Sequence, residues 1–202
     1  MEQNFEKLIK IISKDYLDNK FMNYIKYIQF PKYKNLTENS KIEFEFPLTM
    51  LVGKNGTGKS SVLQAIYGCP QNKSTGDYWF STDVDPIEDG RNKYFYGYQK
   101  DCETRIKEVI KKRQPSVKSP DYWETDALDV KVGMKKDNNM DNETRNNPVE
   151  KNVVYFDFRG ELSEYDKYFH FYKSKPDRKV RMFEQRIKRI YKKTIKTFKS
   201  SF

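Results

Sequence analysis

Residues Gly53 to Ser60 read Gly-Lys-Asn-Gly-Thr-Gly-Lys-Ser, a complete G-x-x-x-x-G-K-[ST] phosphate-binding loop. Such a loop works only between a strand and a helix, so it constrains the fold around it. The preceding run Leu48-Thr49-Met50-Leu51-Val52 predicts a short buried strand. The following run Ser61 to Tyr67 predicts a helix with Val62, Leu63 and Ile66 on one face. Glycines let backbone N–H groups turn inward around phosphate oxygens, and a helix N-terminus adds its partial positive charge. In that arrangement Lys59 reaches the β- and γ-phosphates of a nucleoside triphosphate, and Ser60 places its hydroxyl on Mg²⁺.

Composition limits the size of the core. Apolar residues make up 36% of the 202, and the mean hydropathy is −0.97. Aromatics supply much of the core, with 15 Tyr and 14 Phe against two Ala, Ala65 and Ala127. No apolar run approaches the length of a membrane span, and none precedes the first strand as a signal peptide. Cys69 and Cys102 lack metal-ligand spacing, and His170 is the lone histidine. The expectation is a reduced, cytoplasmic compartment without membrane association.

Charge is concentrated at one end. Asp177 to Phe202 carries ten Lys or Arg against Asp177 and Glu184, a net +8 of the chain's +10. Phe183, Ile187, Ile190, Tyr191, Ile195 and Phe198 recur there at helical spacing, which predicts a basic amphipathic helix over 177–202. It reads either as a contact to nucleic-acid phosphates or as a solvated helix docked by its apolar stripe.

Along the rest of the chain, Phe5, Leu8, Ile9, Ile12, Tyr16 and Leu17 predict a helix over roughly residues 3–18. Met22 to Phe30 predicts a strand ended by Pro31, and Lys41 to Phe46 alternates as an edge strand does. A polar stretch from Pro70 to Arg91 centres on Asp83-Val84-Asp85-Pro86, and Lys93 to Gln99 predicts an aromatic strand. Glu103 to Lys112 fits a short helix or a further strand, and Lys131 to Met134 closes another extended stretch. The Asn-rich segment Lys135 to Asn147 predicts a mobile surface loop. Asn152-Val153-Val154-Tyr155-Phe156 predicts a second apolar strand, followed by Asp157. The organisation expected is an N-terminal helix over 1–20, a nucleotide-binding lobe over 21–176 and the basic helix over 177–202.

The order of strand Tyr24 to Phe30, strand Lys41 to Phe46, strand Leu48 to Val52 and loop Gly53 to Ser61 carries a resemblance. It resembles the N-terminal lobe of ATP-binding-cassette heads in P-loop ATPases of the AAA family. These include the structural-maintenance-of-chromosomes, recombination-repair and overcoming-lysogenization-defect ATPases. Asn55-Gly56 within the loop and the doubled Ser60-Ser61 are the specific points of likeness. Ser119-Pro120-Asp121-Tyr122-Trp123-Glu124, Gly133-Met134, Tyr155 to Arg159, Ser163 and Asp166 to Phe169 are similar to segments of defence-associated ATPases of the Septu and retron type.

The resemblance implies an α/β fold: a P-loop NTPase head of the ABC type, here its N-terminal lobe with an added antiparallel β subdomain. It implies ATP and Mg²⁺ as ligands, held by Gly53, Lys54, Asn55, Gly56, Thr57, Gly58, Lys59, Ser60 and Ser61. It also implies a homodimer that sandwiches ATP, and DNA or a nuclease as partner, in DNA repair or anti-phage defence. Gln99 lies 40 residues after Lys59 where a Q-loop glutamine stands, and with Ser60 it forms the expected metal set. Lys32 and Tyr33, after the first strand, are the candidates for adenine or ribose contacts.

Two family elements have no counterpart in these 202 residues: a Leu-Ser-Gly-Gly signature and a strand ending Asp-Glu. Asp157 is the best substitute for the second, with Phe158 where the water-polarising acid belongs. The chain therefore looks like an N-terminal fragment of a longer ATPase. A non-hydrolysing nucleotide-binding module and a small P-loop kinase are the alternatives. A GTPase is disfavoured because Asp157-Phe158-Arg159-Gly160 mimics its switch while no Asn-Lys-x-Asp motif exists.

Overall fold

The computed structural model describes residues 2–18, 20–78, 92–100, 105–114 and 122–155. Asp157, Cys102, His170, the Ser119-Pro120-Asp121 motif, the loop centred on Asp83 to Pro86 and the basic segment 177–202 lie outside the described residues.

Among the described residues, five strands form one antiparallel sheet: β1 (Tyr24–Lys32), β2 (Ser40–Glu43), β3 (Lys93–Gln99), β4 (Ile106–Arg113) and β5 (Trp123–Thr125), in the order β2-β1-β3-β4-β5. Register brings Ile28 opposite both Ile42 and Tyr96, and Tyr96 opposite Val109. Alternation then divides the side chains between two faces. One face buries Ile28, Phe30, Tyr94, Tyr96, Tyr98, Val109 and Trp123. The helix α2 (Lys59–Tyr67) adds Val62 and Ala65 to that layer, and Cys69 just beyond it joins them. The other face buries Tyr27, Phe95 and Ile110 beneath Met134, Leu128 and Val132. The aromatics expected from composition are this core, and several hydroxyls find partners within it. Tyr96 donates to the Cys69 carbonyl at 2.6 Å, and the Tyr94 and Thr75 hydroxyls lie 2.7 Å apart.

The helix α1 (Glu2–Leu17) matches its periodicity, and Tyr16 ties it to the sheet by donating to the Phe44 carbonyl at 2.9 Å. Tyr24 meets Tyr16 edge to face at 5.2 Å, and Lys26 lies over the Tyr16 ring at 4.3 Å.

Several expectations change. Pro31 does not end β1. The pairing with β3 slips between Gln29 and Lys32, so three residues of β1 advance against two of β3, and an imide without N–H is tolerated at such a bulge. Leu48 to Val52 is not a buried strand. It pairs with no strand of the described sheet, and Leu48, Met50 and Val52 are 79%, 81% and 80% exposed. Only Leu51 of the run packs on the core. Leu63 is exposed rather than buried with Val62, because the helix turns Ala65 and Ile66 towards the sheet instead.

Glu103 to Lys112 resolves as strand from Ile106, and Val130–Val132 is a single 3-10 turn ended by Gly133 in the left-handed region, not an extended stretch. Residues 152–155 carry no strand assignment. The 135–147 segment is held in place, contrary to its composition. Lys107 pairs with Asp141 at 2.5 Å, Arg105 with Asp137, and the buried Asn146 amide donates to the Glu108 carbonyl at 3.1 Å. Its Asn and Asp side chains cap local backbone N–H groups, as in Asp137 to Asn139. No helix among the described residues is long and apolar enough to cross a membrane.

Candidate nucleotide-binding site

The phosphate loop begins where the exposed run ends. Gly53, Gly56 and Gly58 have φ of 152°, 82° and 86°, a left-handed course open to glycine. Thr57 closes the turn, its hydroxyl donating to the Lys54 carbonyl at 2.9 Å while its N–H reaches the same oxygen at 3.4 Å. Gly58 caps α2, and Val62 N–H donates to its carbonyl at 3.0 Å to start the helix. The first turn of α2 carries no acidic side chain, so the N-terminal dipole faces no fixed anion there.

Lys59 folds back over the loop. Its ammonium donates to the Gly53 carbonyl at 2.8 Å and to the Lys54 carbonyl at 2.7 Å. Lys54, Asn55, Gly56, Thr57 and Ser60 are exposed, Ser61 is half-buried, and a side chain placed on Gly56 would meet open space. The loop is thus an open turn with a cation bonded across it and the N-terminus of α2 behind it. Those are the donors that a polyphosphate needs.

The turn after β1 holds this loop. Asn35 donates to the Gly56 carbonyl at 2.9 Å, Leu36 lies so close to Gly58 that any β-carbon there would collide with it, and Lys34 donates to the Gln64 side chain of α2 at 3.2 Å. The turn is itself fixed by Tyr33, which is wholly buried against Phe30, Tyr94 and Trp123. Tyr33 is therefore a core residue and not a surface for a base. Lys32 ends β1 half-buried, opposite Lys93.

Gln99 falls elsewhere. It is buried at the end of β3 opposite Tyr24, whereas the loop leans on the turn that follows Lys32. β1 has nine residues, and at about 3.3 Å per residue its two ends are some 26 Å apart. At the far end of α2, Cys69 is enclosed and burial pushes its thiol up. Lys111 shares that core from β4, and burial holds its ammonium below the usual lysine value.

The model of the AAA ATPase domain family matches residues 22–202, all but the first 21 residues. The chain belongs to that family. No curated protein and no solved structure matches it. As an AAA ATPase domain it has the P-loop NTPase fold class and is an ATP-binding domain in the general sense of the family. The five strands and α2 lie within the matched residues, and α1 precedes them.

Sequence reasoning found the loop and missed its support. Lys34, Asn35 and Leu36 carry no periodicity and read only as turn residues. The signal was positional: a short polar turn directly after the strand that precedes a phosphate loop.

Proposed function

We propose that Gly53 to Ser61 takes up ATP with Mg²⁺, and that the chain is the N-terminal lobe of an ABC-type head. The open glycine loop with Lys59 bonded across its mouth carries this reading. Lys59 and the N–H groups at the start of α2 would hold the phosphates, and the Ser60 hydroxyl would hold Mg²⁺, which neutralises phosphate charge when bound. Lys32 is proposed as a contact to the ribose or base. The domain division is 1–20, 21–176 and 177–202, the last a basic helix.

The likeness to structural-maintenance-of-chromosomes, recombination-repair and Septu or retron-type ATPases supports a head that dimerises around ATP. It also supports DNA or a nuclease as partner, in repair or anti-phage defence. The exposed row Leu48, Met50 and Val52 next to the loop supports a lobe that meets further structure. A non-hydrolysing binding module is the second reading, favoured by the lack of an Asp-Glu pair after any apolar run in the sequence. Calorimetry with ATP and Mg²⁺, coupled to sedimentation with and without nucleotide, tests the proposal. Binding together with nucleotide-dependent dimers supports the head, and binding by a persistent monomer supports the module. No binding refutes both.

A further inference from the structure

Three consecutive side chains of the β1–β2 turn touch the phosphate loop and its helix: Lys34 at Gln64, Asn35 at Gly56 and Leu36 at Gly58. The turn cannot drift, because Tyr33 is locked in the core and the Lys34 N–H donates to the Asn92 side chain at 3.1 Å. Lys34 also adopts φ of 50°, a course that a lysine takes only when its surroundings impose it. Of the three contacts, that of Asn35 falls on the loop's own peptide chain. The Gly56 oxygen can only accept, so Asn35 must present its amide NH₂ to it.

In a trans peptide the carbonyl and the next N–H point in opposite directions. Drawing the Gly56 oxygen towards Asn35 therefore aims the Thr57 N–H away from Asn35, back into the loop. There, among the described residues, it meets the Lys54 carbonyl at a long 3.4 Å. A phosphate oxygen would be a better acceptor for it.

We propose that Asn35 is a positioning residue for phosphate binding: it sets the Gly56–Thr57 peptide plane so that the Thr57 N–H is presented to the phosphates. This rests on the nucleotide reading above, and the test separates the two. In the full chain, Asn35→Ala should weaken binding of both ATP–Mg²⁺ and inorganic tripolyphosphate by about 3- to 10-fold, the range of one lost hydrogen bond. The unfolding midpoint without ligand should stay near that of the unsubstituted chain, while hydrogen exchange at the Thr57 amide accelerates. Asn35→Asp keeps the shape but removes the donor, and should lose at least as much.

Unchanged affinity in Asn35→Ala, with the unsubstituted chain binding, overturns the inference and leaves the nucleotide reading standing. Failure of the unsubstituted chain to bind either ligand overturns the nucleotide reading itself. Lost affinity with a lowered midpoint and no change at Thr57 makes Asn35 a folding residue, and so does failure of both variants to fold. Either result overturns the positioning role.

Discussion

The Lys59 ammonium lies 2.8 Å from the Gly53 carbonyl oxygen, six residues back along the chain, and so bridges the mouth of the phosphate loop. Its removal takes away a cation held there by two loop carbonyls. Lys59→Ala should lower ATP affinity by about 100-fold or more, since charge-assisted bonds to phosphate are the strong ones. The bonds it makes are at the surface, so the unfolding midpoint should barely move. Calorimetry and a thermal melt on the same sample check both halves.

Gly97 is a packing requirement in the middle of β3. A β-carbon there would run into the Tyr27 ring and the Ile106 side chain, and the ring is fixed by its hydroxyl's hydrogen bond to Glu108. Gly97→Ala should destabilise the fold by about 1–3 kcal/mol through overpacking. Denaturant unfolding measures it, and Ile106→Ala in the same chain should restore only part of the loss.

Alkaline pH should unfold the domain progressively. Tyr24 is pushed up to about 12, by burial first and by neighbouring Tyr16 second, from an ordinary 10.0. Burial also raises Tyr27, Tyr94 and Tyr96. A folded-state pKa above the unfolded one means that the folded chain holds its proton more tightly. The contribution is thus complete below pH 10 and fades as pH rises, with the share from Tyr24 gone by about 12. Tyr24→Phe should flatten the stability curve across that window, and an unaltered slope would contradict the assignment.

Acid acts through other groups. Burial alone would raise Asp137 and Asp141, but hydrogen bonds outweigh it and hold both below 3.8. For Asp137 the donors are the Asn139 amide, Arg105 and Asn146. For Asp141 they are Lys107 and the Asn147 amide. Their contribution is present above about pH 4 and is lost as pH falls below it. Asn146→Ala should remove one donor to Asp137 and move the acid transition to higher pH, as read by tryptophan fluorescence.

ATP turnover by these 202 residues should be indistinguishable from background. The loop positions the nucleotide, but hydrolysis also needs an acid or amide to orient water, and Asp157 is followed by Phe158. Steady phosphate release that disappears in Asp157→Ala would make Asp157 part of the metal site.

The sequence made the loop, α1, β1, β3 and the edge position of β2 legible, because each depends on a local pattern of period or glycine placement. What it could not show is pairing. Leu48 to Val52 has strand composition, yet a strand exists only with a neighbour, and the described sheet offers none. Pairing also governs where Gln99 lies. Forty residues of separation say nothing about which end of a sheet a side chain reaches, whereas its register opposite Tyr24 does. The segment 135–147 misled through composition. Its Asn and Asp side chains are polar enough for disorder, but Arg105 just before β4 and Lys107 and Glu108 on it give them fixed partners.

Cys69 is enclosed at the end of α2 farthest from the phosphate loop, its sulfur 3.4 Å from the Ala65 carbonyl. An alkylating reagent can reach that thiol only after the helix lifts from the sheet. In a Cys102→Ser background its labelling rate is therefore a clock for the opening of the helix that begins at Lys59. A ligand seated on the loop must be shed before the helix opens, so it slows the clock in proportion to its occupancy. Nucleotide affinity can then be timed from beneath the domain, by a reagent that never touches the site.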